Sequence, residues 1–363
     1  LLVDYPRETL ERELDVASYF ISSSNFEKFV NKLTSDADVF APVIINDRPR
    51  LKKIDASNIT SIDLGSYRTS DPIKSVFLKA REDVSSYFNG DKNVPTSSKS
   101  KVIFCKSCDI AALAFEDRFF LGEIIDPFYA KERNDVIVIG SDCGDVIATC
   151  HCSILGVKPY PERDFDINLS VVADGYLVDV GSDKGKKLID GNNLLFVDPT
   201  TSQKDQQIMK RQDMLDKVND INKKYTYKLS LDEIVKRGLE SEAWRGIAKS
   251  CTECGGCNIS CPTCTCFLLY DEKSGSDNVR SRQWDSCMKA GYAKVAGGAN
   301  TRPMLFRRTQ NRWQCKFDYM FDKYGTYACS GCGRCTEVCM AKIDLREALL
   351  DLEKKLALSV KLE

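Results

Sequence analysis

The stretch CTECGGCNISCPTCTC, residues 251–266, sets six cysteines in sixteen positions, and CSGCGRCTEVC at 329–339 adds four more. Each contains the run C-x2-C-x2-C-x3-C: Cys251, Cys254, Cys257 and Cys261, then Cys329, Cys332, Cys335 and Cys339. Three thiolates at this spacing, on a loop with tight turns, grip three corners of a cubane [4Fe–4S] cluster. In two-cluster ferredoxins the fourth Cys of each run ligates the other cluster. The expected ligand sets are therefore crossed. Cys251, Cys254, Cys257 and Cys339 hold one cluster, and Cys329, Cys332, Cys335 and Cys261 hold the second. Gly255, Gly256, Gly331 and Gly333 give the backbone room to curl. Pro262 follows Cys261 as the pattern expects, whereas Met340 stands where the second run would have its Pro. Zinc knuckles also use C-x2-C pairs, but as two pairs with a gap between them, not as two tandem four-Cys runs.

The segment between the runs argues for a particular kind of cluster domain. Compact ferredoxins place their motifs close together on a mostly β frame. Here WDSCMKAGYAKVAGG (284–298) and RWQCKFDYMFDKYG (312–325) fill the gap, and both read as helical. An α-helical ferredoxin-type domain with two clusters over 250–363 is expected.

Bulk composition narrows the rest. The 363 residues are enough for two domains. A formal net charge of −1 gives no reason to expect a nucleic-acid partner. No apolar run approaches a membrane span, so no membrane insertion is expected. The 17 Cys stand against a single His. With no export signal in LLVDYPRETLERELD, thiolates held for metal in a reducing cytoplasm fit better than a disulfide framework. The lone His151 also leaves little room for a Ser–His–Asp triad or a His-rich zinc site.

Along the chain, LERELDVASYFISSSNFEKFVNKL (10–33) has apolar residues at helical spacing, and NGDKNVPTSSKS (89–100) reads as a loop. KVIFC (101–105) and DVIVIG (135–140) flank DIAALAFEDRFFL, a strand–helix–strand pattern of the buried parallel kind. VVADGYLVDVGSDKGKKLI (171–189) reads as a hairpin or a pair of edge strands. Its GSDKGKK lacks the spacing and the following helix of a phosphate loop. The fold class is α+β: an α/β domain over 1–200, a polar helical linker over 201–249 with Ser230 or Asp232 as an N-cap, then the cluster domain, ending in an amphipathic helix. Arg302, Arg307, Arg308, Arg312 and Lys316 are basic at helical spacing. They read as a solvated face, a docking patch, or a balance to the clusters' negative charge.

CPTCTCF, RQWDSCM, VAGGANTRP and CSGCGRC…C…ID, in this order, closely resemble one family. It comprises the beta subunits of soluble [NiFe] hydrogenases (sulfhydrogenases) and the matching iron–sulfur subunits of anaerobic sulfite reductases. The resemblance continues through VIFCKSCDIAAL and YAKERNDVIVIGSDCGDVIATCHCS, with two departures. Cys105 adds a thiol where the family is usually apolar or small, and Cys315 stands where it usually has His.

The resemblance implies an electron-transfer component of an anaerobic oxidoreductase. It would relay electrons between a flavin- and NAD(P)-binding subunit and a redox catalytic subunit, with the hydrogenase favoured over the sulfite reductase. It also matches Cys108, Cys143, Cys150 and Cys152 to family positions, a possible third [4Fe–4S] site. Cys108 and Cys143 each end a predicted strand, so in a parallel sheet both leave the same edge, where α/β sheets place cofactors. Zinc or unmetallated thiols are the alternatives there, with Cys105 in reserve and His151 as a hydrogen-bonding neighbour. Cys264, Cys266, Cys287 and Cys315 are surplus. They are buried small hydrophobes, tuning groups near a cluster, ligands of a further cofactor, or the active site of a self-contained reductase.

Overall fold

The apolar runs at 101–105 and 135–140 become the centre of a seven-stranded mixed sheet. The computed structural model describes residues 17–86, 100–275 and 277–359. In chain order β1 (Ser18–Ser22), α1 (Ser23–Asp36), β2 (Asp38–Ile45) and β3 (Arg48–Ile54) come first. They are followed by β4 (Arg81–Ser86), β5 (Lys101–Lys106), α2 (Ser107–Phe120), α3 (Pro127–Asn134) and β6 (Val136–Ser141). The hairpin β7 (Ile167–Val172) and β8 (Gly175–Val180) then leads into α4 (Asp183–Asp190). The sheet order is β1-β8-β7-β6-β5-β2-β3, with β2, β5, β6 and β7 parallel.

Period-two alternation decides which face each strand residue serves. Val102 and Phe104 pack with α1 and Ile189 of α4 on one face. Ile103 and Cys105 pack with Ile110 and Leu113 of α2 and Tyr129 of α3 on the other. The result is a three-layer α/β/α arrangement. Because β5 and β6 run parallel with Lys106 opposite Ser141, the turns after both strands emerge at one edge. That edge carries Cys108 and Cys143.

Two local readings in this half change, and a third falls outside the described residues. ASYFIS within the stretch read as helical forms β1, because Tyr19 and Ile21 pair with β8, and Ser22 then caps α1 by accepting from the Asn25 N–H. GSDKGKK, read as part of a hairpin or pair of edge strands, itself enters a helix: α4 starts at Asp183 and is capped by Ser182. The stretch read as a loop at 89–100 lies outside the described residues except for Ser100.

The second half is largely helical. It contains α5 (Thr201–Asn222), α6 (Leu231–Arg237), α7 (Ala243–Ala248), α8 (Gly256–Ile259), α9 (Leu305–Gln314), a π-helical turn (Cys315–Tyr319), α10 (Met320–Tyr324), α11 (Arg334–Val338) and α12 (Leu345–Ser359). Ser230 closes a capping box with Glu233 at the start of α6. Leu231, Ile234, Trp244, Trp313, Phe317, Leu349 and Leu352 form the core of this half.

The gap between the cysteine runs is only partly helical. RWQCKFDYMFDKYG is helix as expected, but WDSCMKAGYAKVAGG is a series of turns after a hairpin of β9 (Phe267–Ser274) and β10 (Asp277–Trp284). Gly291, Gly297 and Gly298, the last two at positive φ, break what spacing alone favours as a helix. β10 also pairs with β4 from the first half, so a small three-stranded sheet, β4-β10-β9, ties the two halves together. Among the described residues no helix is long and apolar enough to cross a membrane.

Candidate metal centres

Short helices place the thiols. Cys251 follows α7, Cys257 lies in α8, and Cys339 directly follows α11. Cys251, Cys254, Cys257 and Cys339 line one cavity, closed on its inner side by Met288, Trp313 and Leu345. Cys261, Cys329, Cys332 and Cys335 line a second, with His151, Thr263 and Lys316. The fourth Cys of each run thus faces the cavity of the other run. The two cavities adjoin, since Cys335 and Arg312 line both. Cys254 is exposed whereas Cys261 and Cys332 are buried, so the first cavity lies nearer the surface.

Among the described residues no three Cys, His, Asp or Glu side chains are grouped as a single metal ion requires. The tandem four-cysteine donor sets that line the two cavities are those of paired [4Fe–4S] clusters. The donor chemistry fits as well. Burial pushes the Cys329 thiol up to about 12, so its ligating thiolate form depends on nearby positive charge, which iron supplies.

The protein adds positive charge of its own. Arg308, Arg312 and Lys316 recur every four residues and are buried, at 2%, 3% and 2% exposure, whereas Arg307 beside them is exposed. The reading of this run as a solvated face therefore fails for these three. Arg308 pairs with Glu253 at 2.7 Å. Arg312 and Lys316 have no carboxylate partner among the described residues. Lys316 Nζ instead donates to Thr263 Oγ1 at 3.0 Å and to the Ala328 carbonyl at 2.8 Å. Burial opposes the charge on Arg312. The neighbouring thiols, Cys257 and Cys335 foremost, outweigh it and hold its pKa well above the ordinary value. Two buried cations without carboxylate partners call for anionic neighbours, and a thiolate-bound cluster is one. Such cations also raise a cluster's potential.

The other four candidate ligands converge at the sheet edge. Cys108 opens α2, Cys143 follows β6, and Cys150 and Cys152 lie on the loop beyond, Cys152 in a 3-10 turn (Cys152–Leu155). Cys143 lies within electrostatic reach of Cys108, Cys150 and Cys152, and Cys108 within reach of Cys332 at the second cavity. Burial raises Cys143 to about 12. Beside them Lys106 is buried, its Nζ donating to the Leu64 and Asp142 carbonyls. Cys105 points into the apolar layer with Phe77 and Leu113, away from this group. His151 is buried. Its Nδ1 bonds the Thr149 carbonyl at 2.9 Å, and its Nε2 has no partner among the described residues. Burial depresses its pKa to about 4, so the ring is neutral at pH 7.

Backbone-to-backbone packing joins this group to the second cavity. Gly331 and Gly333 have φ of 68° and 72°, and a Cβ at Gly333 would sit 2.1 Å from the Thr149 oxygen. The His151 N–H donates to the Gly331 carbonyl. Gly333→Ala is expected to cost about 1–2 kcal/mol for the left-handed backbone alone and more for the clash, read as a lowered midpoint in anaerobic chemical unfolding. An unchanged midpoint would show that the two loops are not in this contact.

Arginines lock the same seam. Arg68 Nε donates to the Cys332 carbonyl at 2.8 Å and its guanidinium pairs with Glu337 at 2.6 Å. Arg334, buried between Cys332 and Cys335, pairs with Asp109 at 2.8 Å and donates to the Thr69 carbonyl. Sequence reasoning does not reach Arg68, Asp109 or Arg334. The one local signal is adjacency, since Asp109 follows Cys108 and Arg334 precedes Cys335.

Residues 250–343 match the family described as a 4Fe-4S dicluster domain. The chain is also similar to sulfhydrogenase 2 subunit beta of Pyrococcus furiosus. The two are 32% identical over 329 residues, covering 89% of this chain and 95% of that protein.

Proposed function

This chain belongs to the sulfhydrogenase/anaerobic sulfite reductase family of iron–sulfur electron-transfer subunits, and we propose that it is a three-site electron wire within a hetero-oligomeric complex. The first site is Cys251, Cys254, Cys257 and Cys339, the second Cys261, Cys329, Cys332 and Cys335, and the third Cys108, Cys143, Cys150 and Cys152. Cubane clusters, when bound, supply one-electron carriers at these sites.

The chain's own residues do the rest. Trp313 and Leu345 keep water from the inner side of the first site. Arg312, between the first two sites, favours an added electron at either. Arg334 and Asp109 hold the second and third sites in register. The observation that carries this reading is the pair of adjoining thiol-lined cavities, which share Cys335, with the third thiol group against the second cavity.

The partners proposed are a flavin- and NAD(P)-binding subunit on one side and a catalytic subunit on the other. A soluble hydrogenase is favoured because the similar Pyrococcus protein is a sulfhydrogenase subunit. The working compartment proposed is the cytoplasm. Iron and acid-labile sulfide on anaerobically purified full chain test the wire. The Cys150→Ala variant is expected to lose about four iron atoms relative to the wild type, one cubane's worth. Unchanged iron in that variant would confine electron transfer to the first two sites.

A further inference from the structure

Four cysteines outside the apolar layer remain once three sites are assigned: Cys264, Cys266, Cys287 and Cys315. They come from separate segments, namely the C-x-C after the first run, the turn after β10, and the first residue of the π-helical turn. The fold nevertheless gathers them. Asn258 Nδ2 lies 3.6 Å from Cys264 Sγ and 3.3 Å from Cys287 Sγ, bridging the two. The Cys287 and Cys266 thiols share a hydrogen bond, and the Tyr292 hydroxyl also meets Cys266. Cys315 lies within electrostatic reach of Cys266.

Packing alone does not explain this arrangement. A cysteine serving as a small buried hydrophobe needs no polar neighbours. Here the amide of Asn258 is aimed, with Ser286 Oγ donating to its Oδ1 at 3.1 Å so that Nδ2 points at sulfur. Hydrogen bonds to sulfur are a standard means of holding and tuning a thiolate-bound centre. The charge balance agrees. Lys316, buried without a carboxylate partner among the described residues, has the thiols of Cys261, Cys264 and Cys315 within electrostatic reach. Cys315 and Lys316 both lie in a π-helical turn, a rare element found mostly at functional sites.

We propose that Cys264, Cys266, Cys287 and Cys315 form a further thiolate site that takes an iron–sulfur cluster beside the first two. Cys264 contacts Cys261 of the second site, and Asn258 accepts from Cys257 of the first. The added centre therefore branches from the junction of those sites, not from the end of the wire at Cys143. It stands independently of the third site.

The test is iron, acid-labile sulfide and zinc on anaerobically purified full chain, with EPR after reduction, for the wild type and for Cys287→Ala and Cys315→Ser. Cys315 is only partly buried, so its variant guards against a folding failure of the first. The expected result is a loss of about four iron and four sulfide per chain in each variant, with the EPR signals of the first two sites retained. Iron unchanged in both variants would overturn the proposal, as would loss of zinc in place of iron. A Cys266–Cys287 disulfide mapped in protein with full iron would also overturn it, assigning the pair to dithiol chemistry. Loss of iron in Cys150→Ala but not in Cys287→Ala would leave the three-site wire intact and remove only this site.

Discussion

Replacing Cys339 by alanine is expected to empty the first site and spare the second, although Cys339 belongs to the second run in sequence. The reason is geometric. α11 carries the chain from Cys335, which lines both cavities, to Cys339, which lines only the first alongside Cys251, Cys254 and Cys257. A cubane left with three thiolates on the side nearer solvent, where Cys254 is exposed, has a corner open to water and oxidant. The expected loss is up to about four iron atoms per chain, with the second site's reduced EPR signal still present. Selective loss of the second site's signal would refute the crossed arrangement. Cys261→Ala is the mirror experiment and is expected to strike the second site.

The second large effect is on stability. Arg334 and Asp109 are 1% and 2% exposed and pair at 2.8 Å across the seam between the dicluster region and the α/β layer. Arg334→Met removes one partner and leaves a buried carboxylate beside thiols that carry negative charge when ligated. Breaking such a pair costs about 3–5 kcal/mol, against a total of about 5–15 kcal/mol for a typical domain. Anaerobic unfolding should show a large drop in midpoint. The double variant Asp109→Leu with Arg334→Met should recover much of it, because replacing both charges removes the desolvation penalty as well as the attraction. A single variant as stable as the wild type would mean that the pair exchanges with water and does not hold the seam.

The parts legible in the sequence are those written as local pattern. Tandem C-x2-C-x2-C-x3-C runs announce their chemistry because three ligands from one loop need fixed spacing. KVIFC and VIVIG announce buried parallel strands because both of their faces are covered. The hairpin β9–β10 is not legible in the same way, since β10 is held by pairing with β4, far away in sequence. In the Cys287 segment apolar spacing points to a helix, and the glycines at 291, 297 and 298 turn the chain instead.

The basic run on α9 shows the limit most clearly. Spacing puts Arg308, Arg312 and Lys316 on one face, but nothing local says whether that face meets water or thiols. Arg307, one residue from Arg308, is exposed. Likewise Gly331 and Gly333 read as turn residues, while their actual requirement, the approach of the loop at Thr149 and Cys152, depends on a distant segment.

The wire itself is tested most directly by EPR on the full chain, purified and reduced without oxygen. Two paramagnetic clusters in adjoining cavities couple magnetically. The expected spectrum is therefore broad and split at full reduction, and Cys339→Ala is expected to remove the part of that splitting that arises between the first two sites. A wild-type spectrum made only of isolated, non-interacting signals would contradict the account, because clusters held in these two cavities cannot be magnetically remote.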